Sequence, residues 1–186
     1  MTAPVMERST DPGRSHRSTL RTAVVDAVVD AVIVLVWFAV AGALGAVVWW
    51  LVTPLPKITR AGDSASQAPD QLVNQVGIDG WFFAVALVGG LLSGIVLLAW
   101  RRRDPLLMIF LVALGGGLAA WVMVRTGLAI GPSPELAALR DLAEGAEVSM
   151  QLKLHAPGIA LVWPIAALLG AVLQLWVLAK PEQEQT

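Results

Sequence analysis

Four uncharged apolar stretches constrain this chain more than anything else in it. They are AVIVLVWFAVAGALGAVVWWLV from Ala31 to Val52, WFFAVALVGGLLSGIVLLAW from Trp81 to Trp100, LLMIFLVALGGGLAAWVMV from Leu106 to Val124, and IALVWPIAALLGAVLQLWVLA from Ile159 to Ala179. A helix needs about 20 apolar residues, at about 1.5 Å each, to cross a hydrocarbon layer about 30 Å thick. Lipid offers no partner to backbone N–H and C=O groups, so runs of this kind are expected to be helices. Composition agrees: 56% of the chain is hydrophobic and 15% is charged, against roughly 25% charged in ordinary soluble domains. The sequence therefore predicts an all-α integral membrane protein with four transmembrane helices.

The chain has no cysteine, which excludes disulfides, thiolate metal ligands and cysteine nucleophiles, and its net charge of -1 gives no reason to expect nucleic acid. The eight tryptophans gather at several span ends, where an indole can keep its N–H wet. Arg8, Arg14, Arg17 and Arg21 precede the first apolar run, as in a secretory leader. The run is too long for that and lacks a clear small-residue cleavage site, so it reads as a retained span. Residues 1–24 read as a basic, disordered cytoplasmic tail, 25–180 as the transmembrane domain and 181–186 as a second cytoplasmic tail. The basic N-terminus, the Arg101-Arg102-Arg103 turn and Lys180 are dense in charge, whereas Lys57, Arg60, Arg125, Arg140 and Lys153 are spread over long segments. That density predicts both termini in the cytoplasm, with outer loops over 53–80 and 125–158.

Within the second outer loop, Glu147 to Leu154 (EVSMQLKL) alternates polar and apolar residues and then stops at Pro157-Gly158. The period of two is that of a half-buried strand, and a lone strand needs a partner. Pro54 to Gly62 (PLPKITRAG) supplies the best one, because Ile58 and Thr59 favour strands. SPELAALRDLAEG from Ser133 reads as a short helix, with Ser133 as cap, Pro134 at its first position and Gly145 beyond its end. A second short helical piece is expected over APDQLVNQV, before Trp81. The loops should thus fold into a small extracytoplasmic cap with a strand pair and a short helix.

No motif of recognised chemistry emerges: there is no P-loop, Rossmann glycine pattern, HExxH or GxSxG, and no catalytic, cofactor or metal set is expected. Five residues remain as functional candidates. Asp26 and Asp30, at i and i+4, share one face of the first helix and read as the charged start of a helix at the interface, the alternative being a proton relay or cation site. Arg125 closes the third span and could reach headgroups or pair with an acid of the cap. Gln174 carries the one side-chain amide inside the spans and is expected to hydrogen-bond another helix. His155 reads as a turn residue, the alternative being a general base, for which Ser149, Glu147 and Asp141 lie in the same loop. Small residues also recur four apart, as in Ala41 and Gly45, Gly42 and Ala46, Ala86 and Gly90, Gly90 and Gly94, Ala113 and Gly117, and Gly116 and Ala120. That spacing serves packing within the bundle or homo- or hetero-oligomerisation.

The basic tail, WWLVTPLP, IDGWFFAVALVGGLLSG, the RRRDP turn, LGGGLAAWVMVRTG and VWPIAALL together resemble an actinobacterial family of four-span membrane proteins described as a domain of unknown function. The resemblance covers nearly the whole chain beyond the tail. It implies a bacterial plasma-membrane protein and brings no catalytic residues. The function expected is a non-enzymatic scaffold or accessory subunit of a cell-envelope complex, with lipid and an extracytoplasmic protein as partners. The alternatives are a small transporter or channel subunit and, third, an integral-membrane enzyme. The two halves each read span, outer loop, span, so a parallel duplication is a further expectation, supported by GALGAVVWW against GGGLAAWVM.

Overall fold

A computed structural model describes residues 12–55, 57–61, 64–66, 71–100, 105–131, 147–149 and 151–179. Helix α1 covers Pro12–Val52, strands β1 and β2 cover Lys57–Ala61 and Ser64–Ser66, helices α2 and α3 cover Gln71–Trp100 and Pro105–Ile130, and β3 covers Glu147–Ser149. A 3-10 turn over Pro157–Leu161 then leads into α4, Val162–Ala179. Among the described residues four stretches of helix are long and apolar enough to cross a membrane: Arg21–Val52, Val76–Trp100, Pro105–Ile130 and Pro157–Val177.

The chain divides into two compact units, Met1–Ile33 and Val34–Thr186, with the boundary inside α1. In the first unit α1 is already helical at Pro12, so residues 12–24 are not the disordered tail the sequence suggested. Proline suits a first helical position, and no further proline interrupts the chain until Pro54. At the far end Pro54 disfavours helical geometry at Thr53 and stops the helix.

The second unit is organised by close backbone approaches. A Cβ on Gly90 would lie 2.7 Å from the Trp163 carbonyl oxygen, and one on Gly94 would overlap the Ala167 carbonyl. Gly170 presses on the Leu91 carbonyl in the same way. Residue numbers rise together along this seam, so α2 and α4 run parallel. The later part of α1 and α3 are likewise parallel: Gly115 faces Phe38, a Cβ on Gly42 would sit 2.5 Å from the Ala119 oxygen, and one on Gly127 would sit 2.6 Å from the Trp49 ring. Between these pairs lie Phe38, Trp49, Phe82, Met123 and Trp163, all buried. In lipid there is no hydrophobic drive between helices, so contact dispersion at small residues has to hold them together. Of the expected small-residue positions, Gly42, Gly45, Ala46, Ala86, Gly90, Gly94, Gly116 and Ala120 are buried, while Gly117 is exposed.

Two helices outrun their apolar stretches. The residues before Trp81 do not form a separate piece; from Gln71 they are the first turns of α2 itself. Helix α3 likewise continues past Arg125 to Ile130, where Gly131 and Pro132 follow. A helix needs apolar residues only where lipid surrounds it, so neither the end of an apolar run nor a single charge fixes its boundary.

The strands form a three-stranded sheet in the order β2-β1-β3. β1 pairs antiparallel with β2, setting Thr59 opposite Ser66, and antiparallel with β3, setting Lys57 opposite Ser149 and Thr59 opposite Glu147. β3 is shorter than the alternation from Glu147 to Leu154 implied, because residues 151–154 are not in a ladder. Leu152 is still fully buried and Lys153 exposed. Leu152 fits where Gly127 and Gly131 leave room, since a Cβ on either would come within 3.4 Å of its side chain. Met150 and the helix expected from Ser133 lie outside the described residues.

Candidate functional site

Polar contacts tie α2 to the segment entering α4. Asp79 stands two turns into α2, one residue after Ile78, in IDGW. Its carboxylate accepts the backbone N–H of His155 on Oδ1 at 3.0 Å and that of Ala156 on Oδ2 at 2.9 Å. Both oxygens are thus used by one turn of chain, and the side chain is only 13% exposed. The His155 ring is 42% exposed, and its Nδ1 lies 3.8 Å from Asp79 Oδ1. That separation is too long for a hydrogen bond. Immediately after the clamp, Ile159 N–H donates to the Ala156 carbonyl and opens the 3-10 turn.

Beneath this clamp the aromatic core fixes α2 in place. Trp49 Nε1–H donates to the Ile78 carbonyl at 2.9 Å, and its ring meets Phe82 edge-on at 5.2 Å between centroids. Deeper still, Trp163 Nε1–H lies 3.2 Å from the Met123 sulfur, and the Trp163 ring fills the space against Gly45 and Gly89. A Cβ at Gly89 would fall 2.7 Å from that ring. Both of these indoles therefore have acceptors.

The candidates read from sequence are dispersed rather than assembled. His155 is at the clamp, where Asp79 is the acid beside it among the described residues. Glu147 stands in β3 opposite Thr59, and Asp141 lies outside the described residues. Ser149 is half-buried in β3. Arg125 is exposed, with its guanidinium carbon 5.7 Å from the centroid of the Trp121 ring, and it shows no ion pair among the described residues. Gln174 is half-buried on α4, and no hydrogen bond ties it to another helix among the described residues. In the first unit Asp26 is exposed, whereas Asp30 is only 6% exposed, which departs from an exposed helix start for both. Among the described residues no group of three His, Cys, Asp or Glu side chains converges as a metal site would require.

Chemically, a carboxylate that already accepts two N–H groups is a structural anchor. Both of its oxygens are taken by the backbone of one turn of chain. No protein-family model, curated protein or solved structure matches the chain.

Proposed function

We propose that the chain is a non-enzymatic scaffold or accessory subunit of a cell-envelope complex in a bacterial plasma membrane. Both termini lie in the cytoplasm, and the sheet with the segment leading into α4 forms a cap on the outer side. The observation that carries the reading is the Asp79 clamp: its two backbone hydrogen bonds commit the carboxylate beside His155 to holding a loop in shape. A shaped loop on a rigid support is what a partner-binding surface requires. The Trp163 side chain packed against Gly45 and Gly89 supports a filled interior over a conducting path. The resemblance carried by WWLVTPLP and VWPIAALL supports the plasma-membrane assignment.

The test is affinity purification of the full chain from native membranes in mild detergent. A stoichiometric partner should be retained by the wild type and lost on Asp79→Ala, with the variant still inserted and abundant. A small transporter subunit is the second reading, resting on the burial of Asp30, since ionisable groups within helices of this kind commonly mark ion paths. It takes first place if the purified chain has no partner and reconstituted vesicles show pH-gradient-dependent flux that Asp30→Asn abolishes.

A further inference from the structure

Helix α3 has two faces. Met108, Val112, Gly116, Ala119 and Met123 are buried within the second unit, whereas Phe110, Leu114, Gly117, Trp121 and Arg125 are exposed. The exposed set recurs at intervals of three and four residues, so it forms one stripe along the helix. In a helix that crosses a membrane such a stripe faces lipid, and Arg125 is the one charge on it.

Depth makes that charge unusual. α3 has 26 residues and is about 39 Å long, so centring it in a hydrocarbon layer about 30 Å thick leaves Arg125 about 3 Å inside the boundary. Helical side chains lean toward the helix N-terminus. The guanidinium accordingly lies back over the Trp121 ring, 5.7 Å from its centroid, on the bilayer side of its own backbone. The ring attracts the cation but offers no hydrogen-bond acceptor for the five guanidinium donors. Among the described residues no acid pairs with Arg125, and local thinning of the bilayer around a cation at this depth brings a phospholipid phosphate to it from the lipid side. One turn below Trp121, a Cβ on Gly117 would meet nothing within 4 Å, which leaves a notch beneath the 60% exposed indole.

We infer that Arg125, Trp121 and Gly117 form a binding site for one anionic phospholipid on the outward face of α3. The phosphate pairs with the planar guanidinium fork, the glycerol region rests on the indole, and one acyl chain occupies the notch. The inference requires α3 to cross a membrane and is independent of the scaffold reading.

Native mass spectrometry of the full-length protein, titrated with phosphatidylglycerol or phosphatidylcholine, tests it. The wild type should retain a first phosphatidylglycerol in preference to phosphatidylcholine. Arg125→Gln should weaken that first step about five-fold, the factor expected for one Arg near an anionic headgroup. Gly117→Leu keeps the charge and should weaken the step as well, which separates a shaped site from general attraction. All three residues are exposed, so unfolding midpoints should not fall below the wild type's and act as the folding control. Equal first-step affinities in wild type and Arg125→Gln, or no preference over phosphatidylcholine, overturn the site. So does a loss of self-association in Arg125→Gln with lipid binding unchanged, which would assign the face to a second protein.

Discussion

Asp79 shows how much one side chain can hold when its partners are backbone groups. Removing its carboxylate takes the acceptor from two N–H donors at the exposed entry to α4, where water replaces it only in part. Asp79→Ala should therefore lower stability by about 1–2 kcal/mol, read as a lower unfolding midpoint in detergent together with faster amide exchange at His155 and Ala156. His155→Ala should stay within about 0.5 kcal/mol of wild type, because its exposed ring is too far from the carboxylate to contribute more. A large loss from His155→Ala with a small one from Asp79→Ala would mean the histidine ring, not the backbone, is the element being held. A similar contrast applies one turn of chain earlier. Leu152 is fully buried and Lys153 exposed, so Leu152→Ala should cost about 3 kcal/mol and Lys153→Ala close to nothing, measured by the same unfolding midpoint.

At the scale of elements, the helix seams depend on absent side chains. A methyl group at Gly94 would overlap the Ala167 carbonyl, and backbone cannot swing aside as a flexible side chain does. Gly94→Ala should cost about 2 kcal/mol or more by forcing α2 from α4, whereas Gly117→Ala, in open space, should be neutral or stabilise by up to about 1 kcal/mol through helix propensity. Comparable losses from both would show that the α2–α4 contact is looser than its geometry. The apolar runs and the four-residue spacing of Gly90 and Gly94 made these helices legible in the sequence, because lipid restricts what an uncharged twenty-residue run can become. The turns of α2 before Trp81 and of α3 after Arg125 were not legible, since beyond the bilayer nothing in composition tells helix from loop. Asp79 was missed for a different reason. Its partners are backbone N–H groups 76 and 77 residues away, and every residue but proline carries that donor, so no residue type announces the contact. A lone carboxylate next to a glycine at the mouth of an apolar run was the available signal.

For the whole molecule, direction in the membrane reduces to which end of α3 faces the outside. The charge bias of the sequence predicts the Pro105 end inside and the Ile130 end outside, and the parallel course of α2 and α4 requires Lys153, just before the clamp, to share the side of the Ile130 end. These two ends are about 39 Å apart along the helix, more than the hydrocarbon layer, so a label on one cannot be mistaken for a label on the other. The chain has no cysteine of its own, which gives single-cysteine variants a silent background. Both Lys153 and Leu106 are exposed, so reagent access at each is limited by the membrane and not by packing. In intact cells Lys153→Cys should react with an impermeant maleimide, and Leu106→Cys should react only after the membrane is permeabilised. Labelling of Leu106→Cys alone in intact cells would invert the protein, placing the sheet and the Asp79 clamp in the cytoplasm and moving the search for a binding partner to that compartment.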